Sequence, residues 1–177
     1  FALFGTALLL KYLFSTLYHW LNLGEKGISV FKKFDNITTY FLIATSFTPI
    51  CLGPLRGAWG WSIFGVVWGI SVVGIVFYSI WYKVPNVIIL IISIATGIVI
   101  FITLFPFIYT YKEAIVLYSL WFLFISFLLY LSSSIINLLK LSKNNQKNFG
   151  AHDVSHILFM LGSAFQYYFI LNYITIL

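Results

Sequence analysis

The chain has 177 residues, of which 62% are hydrophobic, 21% aromatic and only 8% charged. Soluble domains carry charge on about a quarter of their residues, and disordered chains pair low hydrophobicity with high net charge, so neither class fits. The formal net charge of +6 is spread between apolar runs and forms no patch for nucleic acid, and the one cysteine, Cys51, excludes a disulfide framework or a Cys-rich metal site.

Lipid is therefore the solvent for most of the chain. A span needs about 20 apolar residues, because the hydrocarbon core is about 30 Å thick and a helix rises about 1.5 Å per residue. The opening run, Phe1 to Gly24, is apolar but interrupted by Lys11 and His19. Asn36 to Leu55, Gly57 to Tyr82, Val84 to Tyr111, Ala114 to Leu139 and Val154 to Leu177 contain no Asp, Glu, Lys or Arg. These runs predict an all-α integral membrane protein, a single transmembrane domain over 1–177 with six transmembrane helices at about 1–22, 36–53, 58–82, 85–107, 114–140 and 152–176. A β-barrel is disfavoured, since its strands would alternate apolar and polar residues. Ser142 to Asn148 reads as a flexible loop. Trp59, Trp61, Trp81, Tyr82, Tyr109 and Tyr111 lie near run ends, where interfacial anchors sit; most other aromatics read as lipid-facing bulk. The chain opens on Phe1 rather than Met, which suggests that it is not the whole gene product.

Six spans place alternate connections on opposite faces. One face receives Lys26, Lys32, Lys33, Lys83, Lys140, Lys143 and Lys147; the other receives Arg56 and Lys112. This bias predicts that the lysine-rich face is cytoplasmic.

Ionisable residues within spans are costly and are functional candidates by default. Here they are Lys11, His19, Asp35, His152, Asp153 and His156. His19 lies near the cytoplasmic end of the first run, Asp35 opens the second, and His152 and His156 open the last, so these segments are expected to bring their polar residues to one depth. His152 and His156 are four apart, one helical turn, as two imidazoles chelating one metal would be. With His19 they make a three-histidine Zn2+ site with one position left for water, as in catalytic zinc sites. Such a site can bring the pKa of its water to about 7. Asp35 would hold that water or act as general base, or would merely cap the second helix, since Asp-Asn-Ile-Thr suits a helix start. Ser15, four residues before His19, would orient an imidazole, a water or a substrate carbonyl, or would simply pack between helices. Asp153 would orient a histidine, or is solvated or capping. Lys11 would snorkel, or would meet an acidic headgroup or a fatty-acid carboxylate.

Ser15-Thr-Leu-Tyr-His19, Phe34-Asp35-Asn-Ile-Thr-Thr-Tyr-Phe-Leu-Ile-Ala-Thr-Ser-Phe-Thr-Pro49, Gly60-Trp61 and His152-Asp-Val-Ser-His156 with Gly162-Ser-Ala resemble the hemolysin III family, which is related to the progestin and adiponectin (adipoQ) receptors. The resemblance covers nearly the whole chain. It implies a seven-helix protein whose first helix precedes Phe1. It also implies zinc on His19, His152 and His156, with Ser15 and Asp35 beside it toward the cytoplasm. The chain departs from the family at Thr45-Ser-Phe-Thr-Pro49, where Gly-Thr-Tyr-Thr-Pro is usual, and near Gln166, where a further histidine often stands. Val84 to Leu141 matches only in hydrophobicity.

Three functions follow as expectations. One is a zinc hydrolase acting on a lipid amide or ester such as ceramide, as the adiponectin receptors resemble ceramidases. Another is a receptor in which zinc is structural. The last is a membrane-permeabilising hemolysin without enzymatic activity, although no charged ring or amphipathic lining helix suggests a pore. The expected partner is a membrane lipid, as substrate or ligand; the sequence leaves its identity and the oligomeric state open.

Overall fold

The computed structural model describes residues 2–21, 24–81, 86–110, 114–139 and 151–174. Six α-helices carry most of them: α1 (Ala2–Trp20), α2 (Glu25–Leu52), α3 (Ala58–Ile80), α4 (Asn86–Thr110), α5 (Ala114–Leu139) and α6 (Ala151–Phe169), the last continued by a π-helical segment, Ile170–Ile174. There is no strand among the described residues. The all-α expectation is met. Two stretches, Ala58–Ile80 and Val154–Asn172, are long and apolar enough to cross a membrane by themselves. The polar segment 142–148, Lys83, Lys112 and Lys140 lie outside the described residues.

The second helix begins well before its apolar run. α2 runs unbroken from Glu25 and passes through Gly27, so Lys26, Lys32 and Lys33 are helical rather than part of a loop. Gly24 stands at the N-cap with no side-chain cap, and Asp35 is in the third turn. The capping role considered for Asp35 is thereby corrected: its backbone N–H is already inside the helix ladder. The 28 residues of α2 rise about 42 Å, roughly 12 Å more than the hydrocarbon core. That excess matches the charged first turns.

The helices form two compact units, Phe1–Pro85 and Asn86–Leu177. In the first unit α2 packs against both α1 and α3. Phe14 of α1 stacks on Phe34 of α2 with centroids 5.0 Å apart. Gly60, Ile63, Val67, Ser71 and Gly74 make the buried stripe of α3. At Gly74 the ring of Tyr40 comes so close that a Cβ would lie 2.7 Å from it. At Gly60 a Cβ would overlap the carbonyl oxygens of Leu55 and Cys51. The turn before α3 passes through Gly57 at φ +112°, a left-handed region open mainly to glycine. The Trp68 indole donates to Thr48 Oγ1 at 3.2 Å.

Hydroxyls along α2 are satisfied inside the helix: Thr39, Thr45 and Thr48 donate to the carbonyls of Asp35, Phe41 and Ala44 at 2.9, 2.9 and 3.0 Å. This back-bonding lets a threonine-rich helix sit in lipid without stranded donors.

In the second unit α5 packs against α4 and α6. Polar side chains bridge α5 and α6. Ser126 Oγ donates to the Gly162 carbonyl and Ser133 Oγ to the Ser155 carbonyl, each at 2.8 Å. Tyr130 OH donates to Gln166 Oε1 at 3.0 Å. Gly162 lies under the Tyr130 ring, so the two backbones approach closely. Small residues and interhelical hydrogen bonds are what hold helices together where lipid supplies no hydrophobic drive.

Aromatics divide into two roles. Trp59, Trp61, Trp81 and Tyr109 are exposed near helix ends, as interfacial anchors are. Tyr82 and Tyr111 lie outside the described residues. Others expected to be lipid-facing bulk fill the interior instead: Phe4, Phe107 and Phe169 are among the most deeply buried side chains, and Phe107 and Phe169 pack ring to ring at 6.3 Å.

Candidate functional site

The first unit buries two opposite charges against each other. Lys11 of α1 is 4% exposed and Asp35 of α2 is 7% exposed. Lys11 Nζ donates to Asp35 Oδ1 at 2.6 Å and to the Asp35 main-chain carbonyl at 3.1 Å. The snorkelling or lipid-carboxylate role expected for Lys11 is therefore corrected. Its partner is a carboxylate of its own chain, 24 residues on. The reason is geometric. Lys11 lies about three turns before the α1–α2 connection and Asp35 about three turns after it. An antiparallel helix pair brings such positions to one height. Either charge alone in this setting would cost several kcal/mol to desolvate; together they compensate.

The backbone around Asp35 is polar at the same point. Its carbonyl accepts from Thr38 Oγ1 at 3.0 Å and Thr39 Oγ1 at 2.9 Å as well as from Lys11. No described residue donates to Asp35 Oδ2. Lys11 occupies the other carboxylate oxygen, Oδ1.

On α1, Lys11, Ser15 and His19 recur every four residues, so their positions share one face of the helix. Ser15 is half-buried. From the α1–α2 connection inward the order is His19, Ser15, Lys11, each about one turn deeper. The α2 carboxylate meets the deepest of the three. The single depth expected for His19 and Asp35 is therefore replaced by a staggered arrangement within the first unit.

The remaining candidates are in the second unit. Positions 152 and 156 are both helical, one turn apart at the start of α6. His156 is half-buried, and the neighbouring Ser155 is buried with its carbonyl held by Ser133. The side chains of His19, His152 and Asp153 lie outside the described residues. Among the described residues no three His, Cys, Asp or Glu side chains gather as a metal site would require. The backbone nonetheless suits the donor set: α6 runs unbroken through the histidine pair, as an i, i+4 chelate requires. Gln166, where a histidine often stands in the resembled family, is buried against Tyr130.

Sequence reasoning missed the Lys11–Asp35 pair and the Tyr130–Gln166 bridge. The first left a signal. One base and one acid, each inside a consecutive apolar helix and equally far from their short connection, form a pair by symmetry. The second left none, because Tyr130 lies in a run with no pattern beyond hydrophobicity.

Comparison with known proteins gives a consistent similarity. The family model described as "Haemolysin-III related" matches residues 1–167. The "Hemolysin-3 homolog" of Bacillus subtilis (strain 168) is 39% identical over 83 residues, which is 47% of this chain and 38% of that protein. "Hemolysin-3" of Bacillus cereus is 38% identical over 77 residues, covering 44% of this chain and 35% of that protein. The matched stretches thus span little more than a third of those relatives. No solved structure matches.

Proposed function

This chain belongs to the haemolysin-III related family of integral membrane proteins, and on that premise we propose that it carries a three-histidine zinc site and hydrolyses a lipid amide or ester. The observation that carries the reading is the buried Asp35 carboxylate, held by Lys11 through Oδ1. A carboxylate kept inside an apolar helix pair, in the same α1–α2 unit as Ser15 and His19, supports a role in proton transfer.

His19, His152 and His156 are the proposed ligands. Zinc held by three imidazoles supplies Lewis acidity and a water that ionises near neutral pH. The chain's own groups do the rest in this proposal. Asp35 Oδ2 accepts a proton from the attacking water, and later returns it to the leaving amine or alcohol. Ser15 donates to the substrate carbonyl and orients it. The exposed apolar faces of the helices give an acyl chain its approach from the bilayer; Leu9 is 75% exposed and Phe105 72% exposed. We place the histidines and the lysine-rich ends toward the cytoplasm, as the loop bias suggests.

A second reading is favoured by the same ion pair. A carboxylate already occupied by lysine suits a receptor in which zinc only clamps helices. The word in the relatives' names supports a third, membrane permeabilisation.

One preparation tests them. Purified protein should contain about one zinc, and His152→Ala should lose it; a wild type free of zinc would end the site proposal. Asp35→Asn should retain zinc and lose fatty-acid release from ceramide. Wild-type activity in that variant would leave zinc structural. Dye release from liposomes that persists after chelation would favour permeabilisation.

A further inference from the structure

We propose that Lys11 is a positioning residue for Asp35: its ammonium fixes the carboxylate by Oδ1 so that Oδ2 faces its reaction partner in one orientation. This rests on the hydrolase reading above and adds a residue to it. The grip has two points. Nζ reaches Oδ1 at 2.6 Å and the main-chain oxygen of the same aspartate at 3.1 Å. An ammonium has three donors, and two of them converge on one residue. A lysine bonded to the carboxylate alone would let it rotate about its terminal torsion. A lysine that is also tied to the carbonyl beneath it cannot follow such a rotation without losing a bond. Thr38 and Thr39 hold the same carbonyl at 3.0 and 2.9 Å, so the anchor is itself braced.

Two further observations separate positioning from mere charge balance. Lys11 is 4% exposed, so its long side chain is confined rather than roaming toward an interface. Lys11 also lies on the α1 face that carries Ser15 and His19 at four-residue intervals, the face of the proposed chemistry. A lysine present only to neutralise Asp35 could have stood on any side of it.

The test compares Lys11→Arg with wild type in the full-length protein, in lipid nanodiscs. Arginine keeps the positive charge but presents a planar fork of different reach, so it satisfies charge balance without reproducing the grip. Lys11→Arg should fold and bind zinc as wild type does. Its kcat for fatty-acid release from ceramide should fall about ten- to a hundredfold, the range that a misplacement of about 1 Å produces, with KM within about twofold. Independently of turnover, the infrared carboxylate stretch assigned to Asp35 by difference against Asp35→Asn should shift in Lys11→Arg. Lys11→Met, corrected for its folded fraction, should lose at least as much kcat as the arginine variant. Wild-type kcat in Lys11→Arg overturns the proposal, and so does an Asp35 band that stays put in both variants. A wild type that binds zinc and releases no fatty acid instead defeats the hydrolase reading. A shifted band in that case would reduce Lys11 to a charge partner, which also overturns a positioning role.

Discussion

Lys11 and Asp35 each carry a charge that lipid would not solvate, and their 2.6 Å contact makes each tolerable only through the other. Removing one partner is then worse than removing both. Lys11→Met should lower stability by about 3–5 kcal/mol, because it leaves an uncompensated buried carboxylate. The double variant Lys11→Met with Asp35→Asn should recover most of that loss, since asparagine needs no counter-charge. Reversible unfolding in mixed micelles reads both; equal losses in the single and double variants would show that the pair is not energetically coupled. The residues of this pair were individually conspicuous in the sequence, as charges inside apolar runs. Their partnership was not, because the sequence states no register between two helices. The histidines are the converse case: their spacing alone proposes a metal, and the described side chains leave that proposal to zinc analysis.

At the scale of elements, the apolar runs foretold where the helices lie but not how far they extend. The run from Asn36 marks where α2 enters hydrocarbon, whereas the helix itself starts at Glu25. Hydropathy reports solvent, and a helix continues through any residues that do not break it. Glycine is where the elements meet most closely. Gly60→Ala should cost about 1–3 kcal/mol, because its new Cβ meets backbone oxygens of Leu55 and Cys51 that cannot rotate away. Gly65→Ala, on the same helix with open space around it, should be neutral or stabilising by up to about 1 kcal/mol through helix propensity. Matched unfolding curves of the two variants check the contrast. Between α5 and α6, Tyr130→Phe removes the bond to Gln166 and should cost only about 0.6 kcal/mol, the usual worth of such a bond in a membrane protein.

At the scale of the whole molecule, the chain's composition already required lipid, and its exposed surface agrees. Trp59 and Trp81, both exposed at opposite ends of α3, are separated by about 33 Å of helix rise, close to the hydrocarbon thickness. The proposed orientation has a direct test. In a Cys51→Ser background, Lys26→Cys should react with an impermeant maleimide only from the cytoplasmic side, and Arg56→Cys only from the other; the reverse pattern would invert the topology. The Lys11–Asp35 pair also bears on how the chain reaches the bilayer. A single lysine at the centre of an apolar helix opposes its transfer from the translocon by roughly 2.5–3.5 kcal/mol. By itself α1 is a reluctant passenger, and it acquires its counter-ion only once the ribosome has delivered the third turn of α2. The two helices should therefore leave the translocon as one hairpin, with α1 retained at the lateral gate until its partner arrives.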